Sequence, residues 1–212
     1  GLAWNWESFG DYLDALERRP HDIDLCAQLP HGALRVYVMG ERGAALEPAT
    51  EADREAMRRL AAEAMRAGAL GFSTSRTLNH RTATGDPTPS LRASEAELMA
   101  IAQGLADAGS GVIEVITDFN QPDAETEFGM LRRLVSGSGR PLSFSLAQAG
   151  NHWSGWRKLL AMLEEAARDG LPIRGQVAPR PIGLLLGLQA TLNPFAAHET
   201  FAAIKDNLLA EK

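Results

Sequence analysis

The sequence predicts a parallel α/β fold, on three observations. Short apolar segments alternate with capped amphipathic ones along most of the chain. The apolar segments begin roughly 30 to 40 residues apart, the spacing that right-handed βαβ units require. The clearest of them, Gly68-Ala-Leu-Gly-Phe-Ser-Thr-Ser75, turns polar at its carboxyl end and opens through Arg76, His80 and Arg81 into a loop reaching Pro89. A buried parallel strand that delivers side chains to a site reads this way. In barrel-type α/β proteins the chemistry sits on such loops, beyond the carboxyl ends of the strands.

Each element has its own signal. Trp4, Trp6, Phe9, Tyr12, Leu13 and Leu16 fit one apolar helix face, which Ser8 caps with Asp11 at N3 and Pro20 ends. The Trp4/Trp6 pair reads as a packing anchor. Leu34–Met39 is the first strand expected, followed by the loop Gly40–Gly43. Thr50 and Asp53 then start a helix through Met57, Leu60, Ala61 and Ala64, with Gly68 at its C′ position. After the Gly68–Ser75 strand and its loop, Ser94-Glu-Ala-Glu97 reads as a full capping box, with Leu98, Ile101, Ala102 and Leu105 inward and Gly109 at the end.

Gly111–Asp118 is the next strand, and a helix from Asp123 carries Phe128, Leu131, Leu134 and Val135. Pro141–Gln148 follows as a strand, with a loop through His152. Ser154 is expected to cap a helix burying Trp156, Leu159, Leu160 and Leu163, and Ile173–Ala178 is the last clear strand. Gly40-Glu-Arg-Gly43 lacks the third glycine of a dinucleotide-binding turn and opens no helix directly, which argues against a doubly wound cofactor domain. A closed (β/α)8 barrel takes about 250 residues. Some five units in 212 residues therefore predict a partial TIM barrel, residues 1–212 forming one α/β domain expected to be a piece of a larger barrel.

Composition narrows the partners. A net charge of −6 argues against nucleic acid and against an anionic membrane surface. The most apolar stretch, Ile182 to Leu192, is too short to span a bilayer. The single cysteine, Cys26, excludes an internal disulfide and reads as a small buried residue. Nothing demands an oxidising compartment, and a cytoplasmic location is expected.

The candidate site residues lie at strand ends. Ser75, Arg76, His80 and Arg81 place hydroxyl, cationic and imidazole groups together, and a guanidinium suits a substrate carboxylate. Arg180 is held between Pro179 and Pro181, while Gln148 and Gln176 stand near strand ends where an amide would be bound. Glu114 sits within an apolar strand, where a carboxylate needs a partner or a task. It is the candidate acid/base group, with a salt bridge to Arg76 or Arg174 as the structural alternative. His21, His31 and His198 fall in turn or terminal contexts and carry no expected role.

Taken together, several strings resemble a known family. Trp4-Asn-Trp-Glu-Ser-Phe-Gly-Asp-Tyr-Leu-Asp-Ala-Leu16, Leu34-Arg-Val-Tyr-Val-Met-Gly40 and Gly68-Ala-Leu-Gly-Phe-Ser-Thr-Ser75 resemble the middle of N-acyl-D-amino-acid deacylases (D-aminoacylases), of the amidohydrolase superfamily. Arg76-Thr-Leu-Asn-His80-Arg81, Gly139-Arg-Pro141 and Gln176-Val-Ala-Pro-Arg-Pro181 are similar to the branch acting on N-acyl-D-aspartate or D-glutamate. The resemblance implies a metal-dependent hydrolase in which zinc-bound hydroxide attacks an amide carbonyl of a small N-acyl amino acid. The family's His-x-His pair and catalytic aspartate match no position of this chain. Its two middle-strand metal histidines would fall on Val112–Asp118 and Leu142–Gln148, which hold none, so the metal ligands are unassigned and Glu114, Asp118 and Gln148 are the oxygen alternatives. A non-catalytic small-molecule- or protein-binding domain derived from such a barrel is the second reading. An unclosed barrel is also expected to self-associate through its strand edges.

Overall fold

A computed structural model describes residues 4–119, 123–147, 155–180, 183, 185–190 and 193–212. Its sheet has five strands: β1 (Gln28–Pro30), β2 (Gly71–Arg76), β3 (Val112–Thr117), β4 (Leu142–Ser145) and β5 (Ile173–Gln176). They pair in sequence order β1-β2-β3-β4-β5, and every pair is parallel. Right-handed crossovers between neighbours taken in sequence order put the helices that connect the strands on one face, as in part of a barrel wall. The expected partial (β/α)8 barrel is the fold observed.

The helices are α1 (Phe9–Glu17), α2 (His31–Met39), α3 (Glu41–Ala44), α4 (Glu51–Arg66), α5 (Glu95–Ala108), α6 (Ala124–Ser138), α7 (Gly155–Arg168) and α8 (Glu199–Ile204). Ser8 and Thr50 each close a capping box with the aspartate three residues on. Gly109 and Gly139 end α5 and α6 in the left-handed region. Among the described residues, no helix is long and apolar enough to cross a membrane.

The first strand is a correction. Leu34–Met39 belongs to helix α2, whose buried residues His31, Leu34, Arg35 and Met39 follow helical spacing, while Val36 and Tyr37 face solvent. The apparent alternation of Leu34, Val36 and Val38 is accidental, because a strand would have buried all three. The true β1 lies just ahead and passes into α2 without a loop. Cys26, upstream of β1, is exposed rather than buried. Helix α1 buries none of its residues fully, Trp4 is largely exposed, and the aromatic contacts of Trp6 run to Trp4 and Tyr12. Leu160 of α7 also faces outward, whereas Leu159 is buried as expected; Ser154 lies outside the described residues.

Register sorts the strand side chains into two faces. Leu29, Phe72, Ile113, Leu142 and Ile173 form one row across the sheet, all buried against the helices. The row above it on the same face holds Thr74, Val115, Phe144 and Gly175. Gly175 fits there because a Cβ would meet Leu163 at 2.9 Å and Leu146 at 3.1 Å. The packed core therefore lies wholly on the helix side, with Phe72, Phe144, Leu105 and Leu131 at 0% exposure.

Candidate functional site

The opposite face of the sheet is polar and lacks the helical cover: Glu114, Arg174 and Gln176 are exposed, Ser73 and Ser75 half-buried, and Ser143 buried. Its central row is Pro30, Ser73, Glu114, Ser143 and Arg174, and the next row toward the carboxyl ends includes Ser75, Ile116, Ser145 and Gln176. Period-two alternation forces this sorting: a strand that sends Phe72 and Thr74 to the helices must send Ser73 and Ser75 the other way. Glu114 and Arg174 are exposed, two strands apart, with Ser143 between them.

Glu114 does not make the anticipated ion pair with Arg76 or Arg174. Its carboxylate accepts a 2.7 Å hydrogen bond from Gln28 Nε2 on β1. Gly71 makes that reach possible. It lies on β2 between them, presents no side chain, and could carry none, since a Cβ would run into the Val112 backbone. Glu114 is the single carboxylate on the open face of the described strands.

At the carboxyl end of β2, Ser75 Oγ and His80 Nδ1 lie 2.8 Å apart. The backbone beneath them is held by Ser90, whose hydroxyl donates to the Ser75 carbonyl at 2.8 Å. Asp118, just past β3, grips the start of the loop: it accepts from Thr77 Oγ1 at 2.5 Å and from the Leu78 amide at 2.7 Å. Both of its oxygens are thus engaged. Arg81 donates to the Leu78 carbonyl at 3.0 Å and the Gly85 carbonyl at 3.2 Å, bracing its own loop. Arg180 follows β5 at the same end of the sheet and is exposed, as is Gln176. Among the described residues, Arg174 and Arg180 make no ion pair.

Arg76 stands apart from this group. Strand alternation turns it toward the helices, where it forms a two-pronged ion pair with Glu127 of α6 at 2.6 and 3.2 Å. It also donates to the Ala93 carbonyl at 2.7 Å. Thr117 adds a 2.8 Å bond to the same glutamate. The structure therefore brings Ser75, His80, Glu114, Gln176 and Arg180 to one face or end of the sheet and leaves Arg76 behind it. Gln148 and His152 lie outside the described residues.

Two features escaped the sequence reading. Ser143 shares the open row with Ser73, Glu114 and Arg174, and counting every second residue outward from the apolar positions would have found it. The second is a buried cluster behind β2. His31, with no role expected, is 1% exposed and contacts Thr74 Oγ1 through Nδ1 at 2.8 Å and Glu97 Oε1 through Nε2 at 2.7 Å. Arg35 pairs with the other Glu97 oxygen and donates to the Glu47 carbonyl at 2.6 Å. Glu97 thus leaves the second half of the expected capping box unmade, although Ser94 still caps α5. Burial pushes the His31 imidazole below its ordinary range, against the pull of Glu97. Burial pushes Glu97 up, but its bonds to His31 and Arg35 outweigh that and hold it low.

Comparison with known proteins agrees with this architecture. The profile of the amidohydrolase family matches residues 1–211. D-aminoacylase of Alcaligenes xylosoxydans xylosoxydans is 42% identical over 74 residues, which are 35% of this chain and 15% of that protein. N-acyl-D-aspartate deacylase of the same organism is 42% identical over 71 residues, 34% of this chain and 14% of that one. A solved D-aminoacylase, studied for its binuclear metal centre, superposes on 82% of this chain with TM-score 0.66 and 25% identity; the match spans 34% of its own length. N-acyl-D-glutamate deacylase from Bordetella bronchiseptica, in complex with zinc and a phosphonate inhibitor, shares the fold at TM-score 0.61 and 21% identity, again over 82% of this chain and 34% of that one. The chain thus spans about a third of these structures. With sequential parallel strands, one helical face and a profile match over nearly every residue, the chain belongs to the amidohydrolase family.

Proposed function

We propose that this chain is part of a barrel hydrolase that cleaves the linear amide of N-acyl-D-amino acids, releasing a carboxylate and the D-amino acid. The observation that carries the reading is the open sheet face, where Ser73, Ser75, Glu114, Ser143, Arg174 and Gln176 point one way, with His80 and Arg180 at its carboxyl end. What supports the substrate class is the similarity to D-aminoacylase and N-acyl-D-aspartate deacylase. An acidic side chain on the substrate suits the cations: among the described residues, Arg174 and Arg180 have their guanidinium forks uncommitted, and Arg81 retains one nitrogen beyond those bracing its loop. His80, steadied by Ser75, presents its second ring nitrogen to the site for hydrogen bonding. Gln176 binds the amide, and Glu114 is the carboxylate placed to take or return a proton.

The family implies zinc, which when bound would polarise the carbonyl and activate water. The described residues do not fit such a centre. They contain no cluster of three or more His, Cys, Asp or Glu able to hold an ion, and Asp118 is committed to Thr77 and Leu78. That same donor set favours the second reading, a small-molecule-binding domain without hydrolysis.

Residues 1–212 are proposed as one unit of a larger barrel, self-associating through the outer edges of β1 and β5, each of which pairs with a single strand. A cytoplasmic location belongs to the proposal, supported by a composition with one cysteine.

Isothermal titration with N-acetyl-D-glutamate and N-acetyl-D-leucine, alongside an acetate-release assay, tests the reading. The acidic ligand is expected to bind more tightly, and Arg174→Met and Arg180→Met should each weaken it about tenfold, or roughly 1.4 kcal/mol. Binding without acetate release in every longer form of the protein would select the second reading. Failure of any N-acyl amino acid to bind would overturn both.

A further inference from the structure

We infer that His31 is a positioning residue for the candidate site, locking strand β2 from behind through Thr74. It rests on the reading that the carboxyl end of β2 carries the site. Pro30 pairs with Ser73, so His31, the next residue and the first of α2, stands level with Thr74. Ser75, which contacts His80, is one residue further along the same strand.

The contacts and the burial together favour one ring state. An ionised carboxylate only accepts, so His31 Nε2 carries the proton toward Glu97. In the neutral ring that burial favours, Nδ1 is an acceptor and the Thr74 hydroxyl donates to it. A neutral imidazole satisfies both partners, and the amino-terminal end of α2 disfavours an added positive charge there. The charged groups facing it are Glu97 from α5, Arg35 from its own helix and Arg76 from β2. Phe72 packs edge-on against the ring at 5.2 Å between centroids, which removes its remaining freedom. His31 thereby ties three elements together: α2, α5 and β2. Among the described residues, Thr74 has one side-chain bond to its surroundings, and it is this one. Ser73 and Ser75, on either side of Thr74, are held in place from the helix face, leaving their own side chains to the open face.

The test compares amide hydrogen exchange of β2 (Gly71–Arg76) with that of β4 (Leu142–Ser145) in the 212-residue chain. Thr74→Val keeps the shape and removes the bond to His31; His31→Leu removes both ring partners; His31→Gln restores an acceptor and a donor. Leu131→Ala, a core truncation away from His31, is the control for general destabilisation. The inference expects β2 to exchange at least tenfold faster relative to β4 in Thr74→Val and His31→Leu. It expects recovery in His31→Gln and no change of ratio in Leu131→Ala. Long-range ¹H–¹⁵N spectra should show His31 as the Nε2–H tautomer in the unaltered chain. A β2-to-β4 ratio in Thr74→Val equal to that of Leu131→Ala, or an Nδ1–H tautomer, would overturn it. Neither measurement depends on ligand, so a chain that binds no N-acyl amino acid but shows the selective loosening would sink the functional reading alone.

Discussion

The two faces of strand β2 are built on opposite principles. On the helix side, Phe72 is packed to 0% exposure, Thr74 is bonded to His31, and Arg76 is paired with Glu127. The polar side chains of Thr74 and Arg76 both have partners there, because an unpartnered one in that setting costs about 1–3 kcal/mol. On the open side, Ser73 and Ser75 stand in two neighbouring rows, with serines, Glu114, Arg174 and Gln176, that are only lightly cross-linked. The closed face supplies rigidity and the open face supplies chemistry. Groups meant for a ligand can be left undercommitted only when the backbone carrying them is held by something else.

The contrast can be broken by energetics. Phe144→Ala on the closed face is expected to cost about 3–5 kcal/mol in urea unfolding, since a fully buried aromatic leaves a cavity. Glu97→Ala should cost a similar 3–5 kcal/mol, because it strands His31 and Arg35 without their carboxylate. A loss under 1 kcal/mol for either would mean that the closed face is not the rigid one. Acid should act on the same face. His31 is neutral in the fold with its affinity for protons lowered from 6.5, so the unfolded chain binds the extra proton first. Its contribution is complete above 6.5 and declines as the pH falls below that value, by at most about 1.4 kcal/mol per pH unit. Unfolding followed from pH 8 to pH 5 should show this decline and lose it in His31→Gln. The smallest effect belongs to the open face. Glu114→Ala, which removes an exposed carboxylate bonded only to Gln28, should change stability by no more than about 0.5 kcal/mol. A loss as large as that of Glu97→Ala would erase the distinction between the faces.

Much of the scaffold was legible because local rules governed it. Ser8 with Asp11, Thr50 with Asp53, and Gly68 and Gly109 at helix ends behave as their types dictate. Four of the five strands were recognisable as apolar runs of the right spacing. Leu34–Met39 misled because a nine-residue helix and a strand offer similar apolar counts when β-branched residues fall at alternate positions. The three-residue β1 is too short to carry a pattern at all. Among the site candidates, the end of the sheet was readable and the face was less so: Arg76 looked equivalent to Ser75, yet odd and even positions of β2 serve opposite faces.

What the chain order alone determined is the succession of strands and helices and the polar character of the strand ends, since these follow from periodicity, caps and turns within a few residues of each position. Only the tertiary structure decided which partners the charged groups take. Glu97 reads as half of a capping box and became the centre of a buried ion cluster 66 residues from His31 in sequence. Asp118 became a clamp on the β2 loop instead of an open carboxylate. A charge is satisfied by whichever opposite group the fold brings within about 3 Å, and that neighbour is chosen by packing across the sheet rather than by proximity along the chain.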